Sequence, residues 1–415
     1  MTDVVIVGAG AAGLAAGIFA KRAGPALRVV LVDGATSPGA KILVSGGGRC
    51  NVTNVSVSAS DFNGGRPGAV RQILRAFPAS ATVTFFRDLG VPLHEEANGK
   101  LFPDSNRSRD VLDALLAEVH RLGVDLRSAC RVASMAKSGS EFVMQTSRGP
   151  IRSSQVILAT GGLSLPKTGS DGGGYALAEH LGHTIVPTTP ALVPLVVDAS
   201  APLQFHADVS GVSQMVCLTV HAAGAPPTRV NGSLLWTHVG ISGPATLDAS
   251  RHWLRHRLEG RLPLLTANLM PGSTFESLEA HWLDLSIRQP RATVSKTLST
   301  MIPASVADAV TGRLEINRAE TLSTFTRSDR RHLLHLLLEW PIAVTDSRGY
   351  NFAEVTAGGV PLAEVDPRTM ASRVCPGLFL VGEVLDVDGR LGGFNFQWAW
   401  STAKVAGDAA AARVS

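Results

Sequence analysis

Apolar positions along the chain fall into two textures. Near both ends, short continuous runs of β-branched and leucine side chains break off at glycines. In the middle, apolar residues return at wider spacing between proline and glycine turns. A continuous β-branched run reads as a strand buried on both faces of a parallel sheet. Val4-Val5-Ile6-Val7 is such a run, and it ends at Gly8-Ala9-Gly10-Ala11-Ala12-Gly13. The alanine-rich stretch that follows predicts a helix to about Ala23, stopped by Gly24-Pro25. Arg28-Val29-Val30-Leu31-Val32 predicts a second strand, ending at Asp33. Val156-Ile157-Leu158-Ala159-Thr160-Gly161 predicts another that meets small residues, and Gly377 to Glu383 one that closes on an acid. Leu126 to Arg152, with turns at Ser138-Gly139 and Arg148-Gly149, reads as a small antiparallel excursion, and Gln397 to Ala412 as a closing helix.

Pro187, Pro190 and Pro194 mark a change of texture. From Leu192 to Val230 short apolar pieces alternate with Gly and Pro turns, which predicts small antiparallel strands. Beyond Pro271 the spacing becomes helical. Ser273-x-x-Glu276 forms a capping-box pattern before Leu278, His281, Trp282 and Leu285, and Leu333, Leu334, Leu336, Leu337 and Leu338 follow Ser328-Asp329. The expected architecture is α/β. A Rossmann-like domain in two parts, residues 1–190 and 341–415, carries an inserted cap at 191–340, β-rich over 191–250 and helical over 270–340.

Composition narrows the function classes. With 415 residues, 45% apolar and 17% charged, the chain has core material for two compact units, which excludes disorder over most of its length. A net charge of +4 permits an anionic ligand or nucleic acid without demanding either. Arg251 to Arg257 and Arg327 to Arg331 are arginine-rich, yet 13 basic and 12 acidic side chains nearly cancel between Ala191 and Trp340. That balance favours solvated helix faces over a phosphate-gripping surface. Cys50, Cys130, Cys217 and Cys375 show neither a CxxC pair nor Cys/His zinc spacing, so no metal site is expected and a reducing cytosol suits them. Val4 to Ala20 is nearly all apolar, but Asp3 and four glycines set it apart from a signal segment. The expectation is a cytoplasmic protein without a membrane partner.

A lone GxGxxG is weak evidence, but here it follows a strand, opens a helix and precedes Asp33 by twenty positions from its last glycine. That context points to dinucleotide binding. Gly8 allows the tight turn and Gly10 lets the backbone approach a pyrophosphate. Gly13 brings helix and strand together, the helix N-terminus around Ala12 faces the phosphates, and Asp33 reaches the ribose. No second such fingerprint exists, so a nicotinamide cofactor would have to dock transiently.

Next comes Gly39-Ala40-Lys41-Ile42-Leu43-Val44-Ser45-Gly46-Gly47-Gly48-Arg49-Cys50-Asn51-Val52-Thr53-Asn54. Three consecutive glycines suit a backbone that passes close to something flat or charged, with Lys41 and Arg49 as flanking cations. This stretch resembles the signature of the BaiN/RdsA family of NAD(P)/FAD-dependent oxidoreductases. So do Leu158 to Ser170 with Gly174-Tyr175-Ala176, Leu235 to Pro244, Val355 to Val360, Gly382 to Gly389, and Gly392-Gly393-Phe394-Asn395 with Gln397. The resemblance spans nearly the whole chain in order. Asp171-Gly172-Gly173-Gly174 and Arg390-Leu391 depart from the family pattern.

The resemblance implies a Rossmann-like FAD-binding domain with a mixed β and helical cap. It implies FAD held by Gly8, Gly10, Ala12, Gly13, Asp33, Lys41, Ser45, Gly46, Gly48, Arg49, Cys50, Asn51, Thr160, Gly161, Gly162, Gly359, Gly382, Glu383, Gly392, Gly393 and Asn395. NAD(P)H is the expected transient reductant, and the expected reaction is reduction of an unsaturated organic substrate. His238, among glycines in the mid-chain motif, is the acid/base candidate, with a hydrogen-bonded structural histidine as the other reading. Cys50 is either a thiol at the flavin or a small buried filler. Lys41 and Arg49 either stabilise a reduced flavin or are solvated loop charges. A small molecule is the expected substrate. The rival readings are a ribosomal RNA dihydrouridine synthase, with RNA as partner, an oxygen-using amine oxidase, and a flavin-bearing module without turnover.

Overall fold

The β-branched run at the start sits where its pattern demands. In this computed structural model, which describes residues 2–413, the strand Thr2–Val7 lies in the middle of a parallel sheet, and Val4, Val5 and Ile6 are fully buried. Val29–Val32 flanks it on one side (Val4 with Val29, Val7 with Val32) and Gly149–Leu158 on the other. Asp125–Arg127 extends the first side, and Leu378–Leu380 pairs in parallel with the end of Gly149–Leu158. The hairpin Val132–Ser138 and Glu141–Thr146 adds antiparallel strands beyond, the excursion expected between Leu126 and Arg152.

Four of the parallel strands finish on the same edge, at Val7, Val32, Leu158 and Leu380. The residues that follow them are therefore brought together: Gly8, Asp33, Thr160 with Gly161, and Gly382 with Glu383. In an open parallel sheet this carboxyl edge is where ligands bind.

Helix Ala11–Ala23 packs against the closing helix Phe394–Ala412, and small residues permit the approach: a Cβ on Gly407 would lie 2.8 Å from the Ala20 nitrogen. The closing helix begins three residues before the expected Gln397.

This first compact unit runs to Thr188 and resumes at Glu354, and the second spans Thr189–Ala353. The second therefore extends past the expected boundary at 340. The reason is strand pairing: Trp340–Ile342 joins Leu264–Asn268, and Val344–Ser347 joins Leu195–Val197. Its seven-stranded sheet is antiparallel, with Ser213–Ala222 and Ala225–Thr237 at its heart. Trp236, Trp253, Trp282 and Trp340 are buried in its core. Helix Pro244–Leu258 starts inside the stretch expected to be β-rich, and helices Phe275–Arg288, Val294–Leu298, Ala304–Arg313 and Arg327–Leu338 follow. The expected cap at Ser273 and Glu276 moves by one residue. Thr274 and Ser277 exchange the reciprocal hydrogen bonds instead. Among the described residues no helix is long and apolar enough to cross a membrane.

Candidate functional site

The three fingerprint glycines differ in what surrounds them. Gly8 has φ +102°, and a Cβ there would meet the Ala159 carbonyl oxygen at 2.5 Å. A Cβ on Gly13 would sit 1.8 Å from the Gly8 carbonyl oxygen. Gly10 differs, since a Cβ there would have no protein atom within 4 Å. Gly10 also caps the helix Ala11–Ala23, with no side-chain bond to its first turn and no acid there. The amide groups at that helix start thus keep their positive end for a ligand.

Asp33 is fixed by this same turn. Its Oδ2 accepts from the Ala9 amide at 2.6 Å and its Oδ1 from the Ala35 amide at 2.7 Å. The carboxylate that was expected to reach a ribose is also the brace of the glycine loop. Ala12 is buried on the other side of the loop, 2.9 Å from where a Cβ on Gly382 would lie.

The glycine-rich run folds as one short helix, Ala40–Val44, followed by a left-handed turn. Gly46, Gly47 and Gly48 have φ of +55°, +68° and +83°, and Cys50 is itself at +62°. The Ser45 hydroxyl donates to the Ile42 carbonyl, and the Ser45 carbonyl accepts from the Cys50 amide, which closes the turn. Cys50 is fully buried, and that burial pushes its thiol up to about 12, opposed by a hydrogen bond with Ser45. The thiol therefore keeps its proton at physiological pH. The Oδ1 of the adjacent Asn51 is buried with no protein partner.

The two flanking cations have different fates. Arg49 forms an ion pair with Glu96 at 2.6 Å and lies 4.1 Å from the centre of the Phe102 ring. Its charge is matched locally. Lys41 instead reaches Glu383, at 2.6 Å from Oε2, and also donates to the Ser164 hydroxyl at 2.6 Å. The Ser164 hydroxyl donates to Glu383 Oε1 at 2.7 Å, and the Thr356 amide donates to the same oxygen at 2.9 Å. The Thr356 hydroxyl then accepts from the amides of Leu163 and Ser164. One cluster thus ties together four segments that are far apart in sequence.

The strand exit at 160 is equally tight. Gly161 has φ +72°, a Cβ on Gly162 would lie 2.5 Å from Thr356 Oγ1, and a Cβ on Gly174 would lie 1.8 Å from Thr160 Oγ1. Thr160 Oγ1 and Ser170 Oγ are buried without a protein partner. Gly359, at φ +126°, passes 2.6 Å from the Val384 carbonyl oxygen when given a Cβ.

At the closing helix, Gly392 and Gly393 take φ of +134° and +91°, and no side chain caps the helix start. The amide of Asn395 is committed to its own turn: Oδ1 accepts from the Gly389 amide at 2.8 Å and Nδ2 donates to the Gly389 carbonyl at 2.9 Å. It therefore shapes the turn that leads to the glycine pair. His238 lies in the second unit, exposed on the turn between Ala225–Thr237 and Gly240–Ser242, where Thr237 and Gly240 bond each other.

Ser164 and Thr356 lie inside the motif stretches Leu158 to Ser170 and Val355 to Val360, where the sequence alone assigns them no task. Their signal was present only as a hydroxyl in each of two small-residue segments, one following the strand Gly149–Leu158 and the other inside the strand Val355–Gly359 of a separate two-stranded sheet.

Comparison with known proteins agrees with this arrangement. The family described as HI0933-like protein Rossmann domain matches residues 2–409. The chain belongs to this family. Its relatives include the ribosomal RNA dihydrouridine synthase of Escherichia coli, 34% identical over 97% of this chain and 96% of that one. The 3-dehydro-bile acid delta(4,6)-reductase of Clostridium scindens is 33% identical over 100% of both chains. These relatives bear out the BaiN/RdsA resemblance and make the protein an oxidoreductase. A solved quinol fumarate reductase of Escherichia coli shares the fold at 17% identity, with a TM-score of 0.52 over 99% of this chain and 70% of that chain.

Proposed function

We propose that the first unit holds FAD along the carboxyl edge of its parallel sheet. On this reading, the family member passes reducing equivalents from NAD(P)H to an unsaturated organic substrate. The observation that carries the reading is the contrast among the fingerprint glycines. Gly8 and Gly13 answer to their own fold, whereas Gly10 borders open space at an uncapped helix start braced by Asp33. The unpartnered buried oxygens of Asn51, Thr160 and Ser170 add polar groups for a large polar ligand.

Bound FAD supplies two-electron redox chemistry, and the protein supplies position and electrostatics. Gly8, Gly10, Ala12 and Gly13 offer the helix start to the pyrophosphate, and Asp33 the carboxylate to the ribose. Ser45, Gly46 and Gly48 let the backbone come close. Thr160, Gly161, Gly162 and Gly359 line the strand exits, Lys41 and Glu383 add a paired cation and acid, and Gly392 and Gly393 present backbone amides. Arg49, Cys50 and Asn395 hold these segments in shape, and Asn51 offers its unpartnered buried Oδ1 to the cofactor. His238 is the imidazole to test as proton donor. Cys50, Cys130, Cys217 and Cys375 are all unpaired, which suits work in the cytoplasm.

The test is an anaerobic titration of the purified protein with NADH and then NADPH, following flavin absorbance. Bleaching supports the reading, and a protein that takes up no FAD overturns it. The dihydrouridine synthase relatives favour a second substrate reading, a uridine in ribosomal RNA. The reduced protein is then offered ribosomal RNA or a conjugated steroid ketone, and the acceptor that restores the yellow colour separates the two.

A further inference from the structure

Oε1 of Glu383 accepts from the Ser164 hydroxyl and the Thr356 amide, which fills it, while Oε2 accepts from Lys41 and keeps one lone pair. The Lys41 ammonium spends one proton on Oε2 and one on Ser164, and keeps one. The pair thus shows one donor and one acceptor on neighbouring atoms. A hydroxyl group, which accepts and donates at once, is the ligand group that matches both. Lys41 and Glu383 side chains retain 25% and 17% exposure, whereas Ser164 is fully buried.

Resting on the FAD reading above, we propose that Ser164 is a positioning residue. Its buried hydroxyl bridges Lys41 and Glu383 and fixes them in the arrangement that recognises a sugar or sugar-alcohol hydroxyl of the cofactor. Three features assign this to Ser164. Its hydroxyl touches both charges, at 2.6 and 2.7 Å. Its alternative acceptor, the Glu354 carbonyl, is farther away at 3.3 Å, so the proton goes to Glu383. Its own amide is held by Thr356 Oγ1 at 3.0 Å, so the residue cannot drift with the pair. Without the bridge, Lys41 gains a second uncommitted proton and Glu383 a second uncommitted lone pair. The single-donor, single-acceptor pattern is then lost.

The experiment measures FAD affinity of flavin-stripped protein by quenching of flavin fluorescence, with thermal melts of each stripped form alongside. The forms are wild type, S164A, S164C, S164T, the K41M/E383Q double variant, and that double variant carrying S164A. Ser164→Ala is expected to weaken FAD binding about tenfold, as loss of a bond to a charged group does. Ser164→Cys keeps the volume and loses the strong donor, so it shows the same loss even where the alanine form folds poorly. Ser164→Thr restores the hydroxyl and recovers binding to within about threefold. In the K41M/E383Q background, removing Ser164 costs nothing further, because the residue acts through the pair. If wild type binds FAD and S164A binds it equally well, the positioning role fails alone. Equal losses from S164A in both backgrounds would also overturn it. If wild type itself takes up no FAD, the cofactor reading fails first.

Discussion

Thr53 donates its hydroxyl proton to Gln397 Oε1 at 2.6 Å, across 344 residues of chain. Thr82 donates to the same oxygen at 2.8 Å, and Gln397 Nε2 donates to the Phe77 carbonyl and the Ser401 hydroxyl. Every valence of this fully buried amide is used, so it bolts the closing helix to the segment after the glycine-rich turn. Gln397→Leu strands two buried hydroxyls, and a loss of about 3 kcal/mol in unfolding free energy is expected. Urea unfolding checks it. A variant as stable as wild type would show that the network is dispensable.

Glu118 gives stability a pH dependence. Its carboxylate is almost fully buried and takes hydrogen bonds from Arg121 and Arg22. The Arg121 bond, opposed by burial and helped by Arg22, holds the acid at about 2 against an ordinary 4.5. The folded value lies below the unfolded one, so the stabilisation is complete above the ordinary value and is lost as pH falls toward the folded one. Both guanidiniums are more than a third exposed, so screening leaves about 1 to 2 kcal/mol. Glu118→Gln is expected to cost that amount at pH 7 and almost nothing near pH 2. A gap that stays constant in acid would count against the pairing.

What the sequence made legible follows the range of the interactions. The strand Thr2–Val7, the helix Ala11–Ala23 and the turn between them were readable because burial on both faces and glycine placement act over a few neighbouring residues. Asp33 was readable by spacing, but its grip on the Ala9 amide was not. Arg49 read either as a cation for a reduced flavin or as a solvated loop charge, and its ion pair was not legible because Glu96 lies 47 residues away and carries no periodic mark. Lys41 and Glu383 were both singled out, yet their pairing joins residues 342 positions apart and only the parallel sheet brings them together. The second unit shows the same limit. Its late strands, Trp340–Ile342 and Val344–Ser347, are three and four residues long, too short for alternation to announce them.

The fingerprint glycines separate folding from binding. Gly13→Ala forces a Cβ into the Gly8 carbonyl at 1.8 Å, so the turn must distort, and the expected cost is about 2 kcal/mol or more. Gly10→Ala meets no protein atom within 4 Å, so the folded protein is expected to keep its stability and lose FAD affinity. Thermal melts and FAD titration of the two variants check the contrast. Unchanged FAD binding in Gly10→Ala would remove the main support for the cofactor site.

Cys50 should behave as structure rather than as reagent. With the thiol pushed up to about 12 by burial, almost no thiolate exists at pH 8. Iodoacetamide applied to the native protein is expected to label the half-buried Cys217 first and to leave Cys50 unmodified until unfolding. Cys50→Ala should still allow flavin reduction by the pyridine nucleotide that serves wild type. A variant that binds FAD normally but is never reduced would return the residue to the chemistry.

Ser372, His183 and Glu364 reproduce the outline of a hydrolytic triad: the serine hydroxyl lies 2.8 Å from His183 Nε2, and His183 Nδ1 lies 2.6 Å from Glu364. The lone pairs decide against that chemistry. Ser372 Oγ already accepts from the amides of Val374 and Cys375 at 3.0 and 2.7 Å, so no lone pair remains to attack an acyl carbon. The imidazole is completely shielded from solvent, as a strut would be. Ser372→Ala is therefore expected to lower stability by about 1 to 3 kcal/mol, since two amides lose their acceptor. A fluorophosphonate probe should leave wild type unlabelled, and covalent labelling at Ser372 would show that the loop opens to expose a nucleophile.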